Sequence, residues 1–110
     1  MERPLLVYTT FPDEASALNI GEALVRDRLV ACVNVLSGMT SVYAWKGAVE
    51  RANEVSALLK SREGLRDALF AAVKARHPYE TPILLTLPVD GADPGTLAWI
   101  LAETQAPPTG

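Results

Sequence analysis

Ala31-Cys32-Val33-Asn34-Val35-Leu36, then Ser37-Gly38, then Met39-Thr40-Ser41-Val42-Tyr43-Ala44-Trp45, then Lys46-Gly47 and a return from Ala48 to Lys60: this stretch reads as one long β-hairpin. β-Branched and aromatic residues fill both arms and alternate as they would on a pleated, half-buried surface. Lys46-Gly47 supplies the turn. Ser37-Gly38 interrupts the first arm as a bulge does, so side-chain parity before it need not match parity after it. The returning arm closes on the apolar run Val55-Ser56-Ala57-Leu58-Leu59. Arms of this length exceed the usual strand of about 5–6 residues. A chain of 110 residues has little else with which to cover both faces of such a ribbon. Either its own helices shield the hairpin, or the free backbone at its edges serves as an oligomerisation device.

Working outward, Leu5-Leu6-Val7-Tyr8-Thr9-Thr10 is a near-continuous apolar run, as in a strand buried on both faces. Phe11-Pro12 breaks it and Asp13 is placed to cap a helix running to about Arg28. Ala17, Leu18, Gly21, Leu24 and Val25 recur at helical spacing and are expected to face the sheet, with Gly21 allowing close approach to a strand. After the hairpin, Ser61 is expected to cap a second helix whose stripe is Leu65, Ala68, Leu69, Ala72 and Val73. His77-Pro78 ends it, because a residue before proline is pushed out of the α region. Ile83 to Val89 reads as a further strand between prolines. Asp93-Pro94 starts a short third helix carrying Leu97, Trp99, Ile100 and Leu101 to about Thr104. Gln105 to Gly110 reads as a tail.

The order β-α-β-β-α-β plus a C-terminal helix is the split-βαβ, ferredoxin-like pattern of the α+β class. It implies one domain over residues 1–110, an antiparallel sheet and two helices on one face. That architecture hosts many functions and selects none.

Composition narrows the choice. Ten Lys+Arg against 13 Asp+Glu leave a formal charge of −3, and aromatics are 6% of residues. Such a chain lacks the positive field and stacking platform of a nucleic-acid binder. No run approaches the roughly 20 apolar residues of a membrane span, and a single cysteine, Cys32, fits a reducing compartment. The expected location is the cytoplasm.

Few residues carry chemistry. His77 is the sole imidazole, suited to Cu, Zn or Ni; it either ligates a metal, with a carboxylate such as Glu80 beside it, or bonds a neighbour at the helix end. Cys32 is a soft ligand or a small packed hydrophobe. Tyr43 and Trp45 at the hairpin tip line either a ligand cleft or a subunit contact. Glu54 and Lys60, charges within a strand, are expected to be paired across strands or subunits. Tyr79 and Glu80 sit in a two-proline loop fit for a ligand pocket. No Gly-rich phosphate loop or catalytic triad pattern is present, so no enzymatic activity is expected.

Three motifs raise the specificity of the reading: Ala31-Cys32-Val33-Asn34 with Ser41-Val42-Tyr43-Ala44-Trp45-Lys46-Gly47; Glu54 followed by Leu58 and Lys60; and His77-Pro78-Tyr79-Glu80-Thr81-Pro82. With the Trp99 helix, they make the chain resemble the CutA family of divalent-cation-tolerance proteins from the Thr10–Glu14 turn to Thr104. The resemblance implies a homotrimer whose hairpins extend the sheets across subunits, binding of Cu2+ or another divalent metal, and a role in metal tolerance without catalysis. It ascribes metal binding to a first-strand cysteine and a His-His pair before Pro-Tyr. Here Thr9-Thr10 and Arg76-His77 stand at those places, and Ile83 replaces a common acid. An alternative is a trimeric signalling or scaffold module that binds a small ligand between subunits, with Lys60, Arg62 and Tyr79 as contacts.

Overall fold

The computed structural model describes residues 2–104; the expected tail at 105–110 lies outside them. The order is β1 (Pro4–Phe11), α1 (Glu14–Arg26), β2 (Cys32–Trp45), β3 (Ala48–Arg62), a 3-10 turn (Glu63–Leu65), α2 (Arg66–Arg76), β4 (Leu85–Leu87) and α3 (Pro94–Glu103). The four strands form one antiparallel sheet in the order β2-β3-β1-β4, so β2 and β4 are its edges. α1 and α2 supply Ala17, Ile20, Leu24, Leu69 and Val73 to a single core with Leu5, Val7, Phe11, Val55, Ala57 and Leu59 of the sheet.

The hairpin forms as its residues dictate. Trp45 pairs with Ala48 across a two-residue turn, and Lys46 and Gly47 both take positive φ, 48° and 82°, the mirror-image turn whose twist suits flanking strands. The register shifts between Leu36 and Met39, where Gly38 has φ 84°. This bulge reverses parity: Asn34 and Leu36 share a face with Met39, Ser41, Tyr43 and Trp45. β1 ends at Phe11, opposite Val55, so residues 39–54 project as a two-stranded ribbon beyond the sheet.

Several expectations need correction. β1 is buried fully on one face only: Leu5, Val7, Thr9 and Phe11 face the helices, whereas Leu6 and Tyr8 stay half-buried. In α1 the inward stripe is Ala17, Ile20, Gly21 and Leu24. Leu18 and Val25 are 45% and 42% exposed, because each follows an inward residue by about 100° of helix rotation. α1 ends at Arg26, and Arg28 takes φ 60° in place of the usual glycine. Bonds from Arg28 N–H to the Val25 carbonyl and from Leu29 N–H to the Leu24 carbonyl complete a Schellman closure. Arg28 is held there because its guanidinium donates to the Ala102 carbonyl at the end of α3 (2.6 Å).

Ser61 does not cap α2. It is the buried penultimate residue of β3 and its hydroxyl donates to the Leu29 carbonyl at 2.6 Å. The 3-10 turn instead receives the Glu2 carboxylate at Gly64 N–H, and in the stripe of α2 Leu69 and Val73 are buried, Ala72 packs half-buried against the core and Ala68 is exposed. β4 spans three residues, not seven, and Pro88, which cannot donate to a ladder, follows its last residue. Asp13 and Asp93 cap α1 and α3 as read, accepting from Ser16 and Gly95 N–H.

Candidate functional site

The loop after α2 folds back over the end of β1, and the His77-Pro78-Tyr79 motif does the binding. Pro78 stops α2, leaving His77 extended with its ring pointing inward, 8% exposed. Nδ1 accepts the Tyr79 backbone N–H at 3.0 Å. Nε2 therefore carries the proton and donates to the Thr10 carbonyl at 2.6 Å. The ring stacks on Phe11 (centroids 4.7 Å, 15°) and leans on Tyr79 (4.9 Å). Both nitrogens are thus engaged within one protomer. The contact with Phe11 and Thr10 was not foreseen from the sequence; the Phe11-Pro12 break, which puts a ring at a strand end, is its only signal.

Tyr79 reaches across to the ribbon and donates its hydroxyl to Glu54 at 2.7 Å. Burial, then the bond to and the charge of Glu54, push the phenol well above its ordinary range. Within the protomer Glu54 thus meets Tyr79 of the loop after α2. Tyr43 donates to Glu50 at a longer 3.3 Å, and its phenol is raised first by desolvation and then by Glu50. Tyr43, Glu50 and Glu54 share one face of the ribbon. A hollow of about 320 Å³ is lined by Glu54 with Pro12, Gly38, Met39, Thr40 and Asn53. Ser37 in the bulge is tied to Glu14 of α1 at 2.8 Å.

The other expected residues lie apart. Cys32 heads β2 opposite Lys60 on the face away from α1 and α2, its thiol 3.7 Å from Asn34 Oδ1. Trp45 sits at the ribbon tip, 40% exposed, with the Lys46 ammonium 5.5 Å from its ring centroid. Glu80 is exposed. Thr9, at the place ascribed to a cysteine, is fully buried with no partner for its hydroxyl among the described residues. No group of three or more His, Cys, Asp or Glu among the described residues is arranged to hold a metal ion. The residues of one protomer do not fit a His77-centred copper site, because a metal would have to displace one of the two hydrogen bonds that hold the ring.

A second feature is the sheet face opposite α1 and α2. Alternation and register place Leu6, Tyr8, Leu36, Leu58, Leu85 and Leu87 on it, with Cys32, Glu54 and Lys60, and it runs on into Tyr43 and Trp45 of the ribbon. Leu36, Leu85 and Leu87 are 40–57% exposed.

A profile of the CutA1 divalent ion tolerance protein family matches residues 5–103. The divalent-cation tolerance protein CutA of Yersinia pestis (strain Pestoides F) is 44% identical over 99 residues, covering 90% of this chain and 83% of its own. Among solved structures, the divalent ion tolerance protein CutA1 from Ehrlichia chaffeensis matches with a TM-score of 0.91 at 31% identity, over 96% of this chain and 99% of that one. The periplasmic divalent cation tolerance protein CutA from Archaeoglobus fulgidus gives 0.90 at 29% identity, over 94% and 100%.

Proposed function

Because the chain belongs to the CutA1 divalent-ion-tolerance family, we propose that it serves divalent-cation tolerance as a non-catalytic homotrimer. The observation that carries this reading is the open sheet face. Monomers rarely expose a contiguous apolar patch beyond a few hundred Å², yet here leucines of all four strands continue into two aromatic rings on a projecting ribbon. A ribbon free of its own sheet, with β2 and β4 edges open, is the surface that another copy covers. Cu2+ or another divalent cation would then draw its ligands from more than one copy, since a protomer alone offers no cluster among its described residues. The cytoplasm is the compartment that the lone cysteine favours, and cell fractionation checks it; no helix among the described residues is long and apolar enough to cross a membrane.

The test is complementation under copper stress in a host deprived of its own CutA-family protein. The wild-type chain should restore growth. Leu58→Asp, which sets a charge in the middle of the open face, should stay folded by circular dichroism, lose assembly and fail to restore growth. Equal rescue by the monomeric variant would overturn the link between assembly and tolerance.

A further inference from the structure

Lys60 and Arg62 alternate onto the same face of β3, the one away from α1 and α2, about 6.6 Å apart along the strand. Both are half-buried, and among the described residues neither has a carboxylate within ion-pair distance. Lys60 lies between Cys32 of β2 and Leu6 of β1, with Leu87 of β4 beyond Leu6. None of these side chains offers its ammonium a counter-charge. The Arg62 guanidinium donates from Nη2 to the Thr104 carbonyl at 3.1 Å, and its Nε is buried with no acceptor.

Two neighbouring cations, partly withdrawn from water and facing no anion, carry both a desolvation cost and mutual repulsion. The carboxylates of the same region do not relieve it. Glu63, next to Arg62 in sequence, lies 3.8 Å from Arg66. Glu103, just before Thr104, is exposed and pairs with neither cation. Glu54, on the same face of the same strand, is about 20 Å from Lys60 at 3.3 Å per residue and is met by Tyr79. What the pair lacks is an anion with several acceptor oxygens. A carboxylate or phosphate has them, and its bonds to two charged donors are of the strong, charge-assisted kind.

We infer that Lys60 and Arg62 form a binding site for a small oxyanion, a carboxylate or phosphate, with Leu6 and Leu87 as its apolar wall. The site is built from one protomer, so its failure and that of the trimer reading are distinguishable. Melting temperatures at constant ionic strength test it, with chloride replaced stepwise by inorganic phosphate or by acetate. The variants are Lys60→Gln and, as a control on the exposed face of α2, Lys74→Gln; Arg62 is left in place because its bond to Thr104 also anchors the end of α3. Wild type and Lys74→Gln should melt higher as the anion is added, following the mass action of one site. In Lys60→Gln the apparent dissociation constant should rise at least about tenfold, as for loss of one charged hydrogen bond. A response to phosphate alone assigns a phosphate ligand, and a response to both assigns any small oxyanion. An equal rise in Lys60→Gln would be the general stabilisation by excluded salts and would overturn the site. Insensitivity of wild type to both anions, with assembly lost in Lys60→Gln, would overturn it too, by assigning the counter-charge to a second copy.

Discussion

At the scale of single residues, the sequence motif around His77 is a latch whose chemistry is spent inside the protomer. With Nδ1 accepting and Nε2 donating, His77→Ala should destabilise the fold by about 2–4 kcal/mol through two lost hydrogen bonds and a lost buried ring. It should leave Cu2+ affinity, measured by calorimetry on the folded protein, unchanged. Loss of copper binding in that variant would mean that the ring leaves its bonds to ligate. Tyr79→Phe should cost about 1–2 kcal/mol, since it strips a half-buried carboxylate of a donor. It should also alter the alkaline limb. Below pH about 10 the phenol is neutral whether the chain is folded or not; above it, the unfolded chain releases a proton that the raised folded phenol keeps, so stability falls as pH rises. Thermal melts between pH about 9 and 11 should show a steeper decline in wild type than in Tyr79→Phe. The sequence made Tyr79 and His77 visible as a motif. It did not show their partners, because Thr10 and Glu54 are brought to them only by the packing of β1 and β3.

At the scale of elements, the hairpin, its Lys46-Gly47 turn and the bulge at Ser37-Gly38 were legible because each rests on local backbone chemistry. What failed was judgement of which polar residue does what at a strand end. Ser61 has the hydroxyl of an N-cap, but β3 runs through it and its side chain turns to Leu29. Leu18 and Val25 fit a helical stripe by spacing, yet they border a groove of about 270 Å³ beside Val33 and Val35 at the β2 edge. The narrow part of that contact is Gly21, where an added Cβ would lie 3.2 Å from Val33 Cγ1. Gly21→Val should therefore lower the melting temperature, by about 1–3 kcal/mol of stability, because a β-branched side chain cannot be accommodated without shifting β2. An unchanged or raised melting temperature would show that the edge strand gives way freely.

At the scale of the molecule, one face of the sheet forms the core with α1 and α2, and the other, met at its ends by Thr104 of the α3 terminus and by Tyr79, leaves Leu36, Leu85 and Leu87 exposed. The sequence anticipated this through strand length alone: β2 and β3 have 14 and 15 residues against eight in β1, so nearly half of the hairpin outruns its sheet. Which face the excess continues was not legible, because the bulge at Leu36–Met39 exchanges odd for even positions and only the register resolves it. With that register, the apolar residues of the open face and the ribbon aromatics join into one surface, and the proposal that another copy covers it follows from the cost of leaving it wet. The measurement that reaches this claim most directly is the mass of the purified chain by multi-angle light scattering at micromolar concentration. The account predicts three times the chain mass. A mass of one chain, holding across dilution, would contradict it.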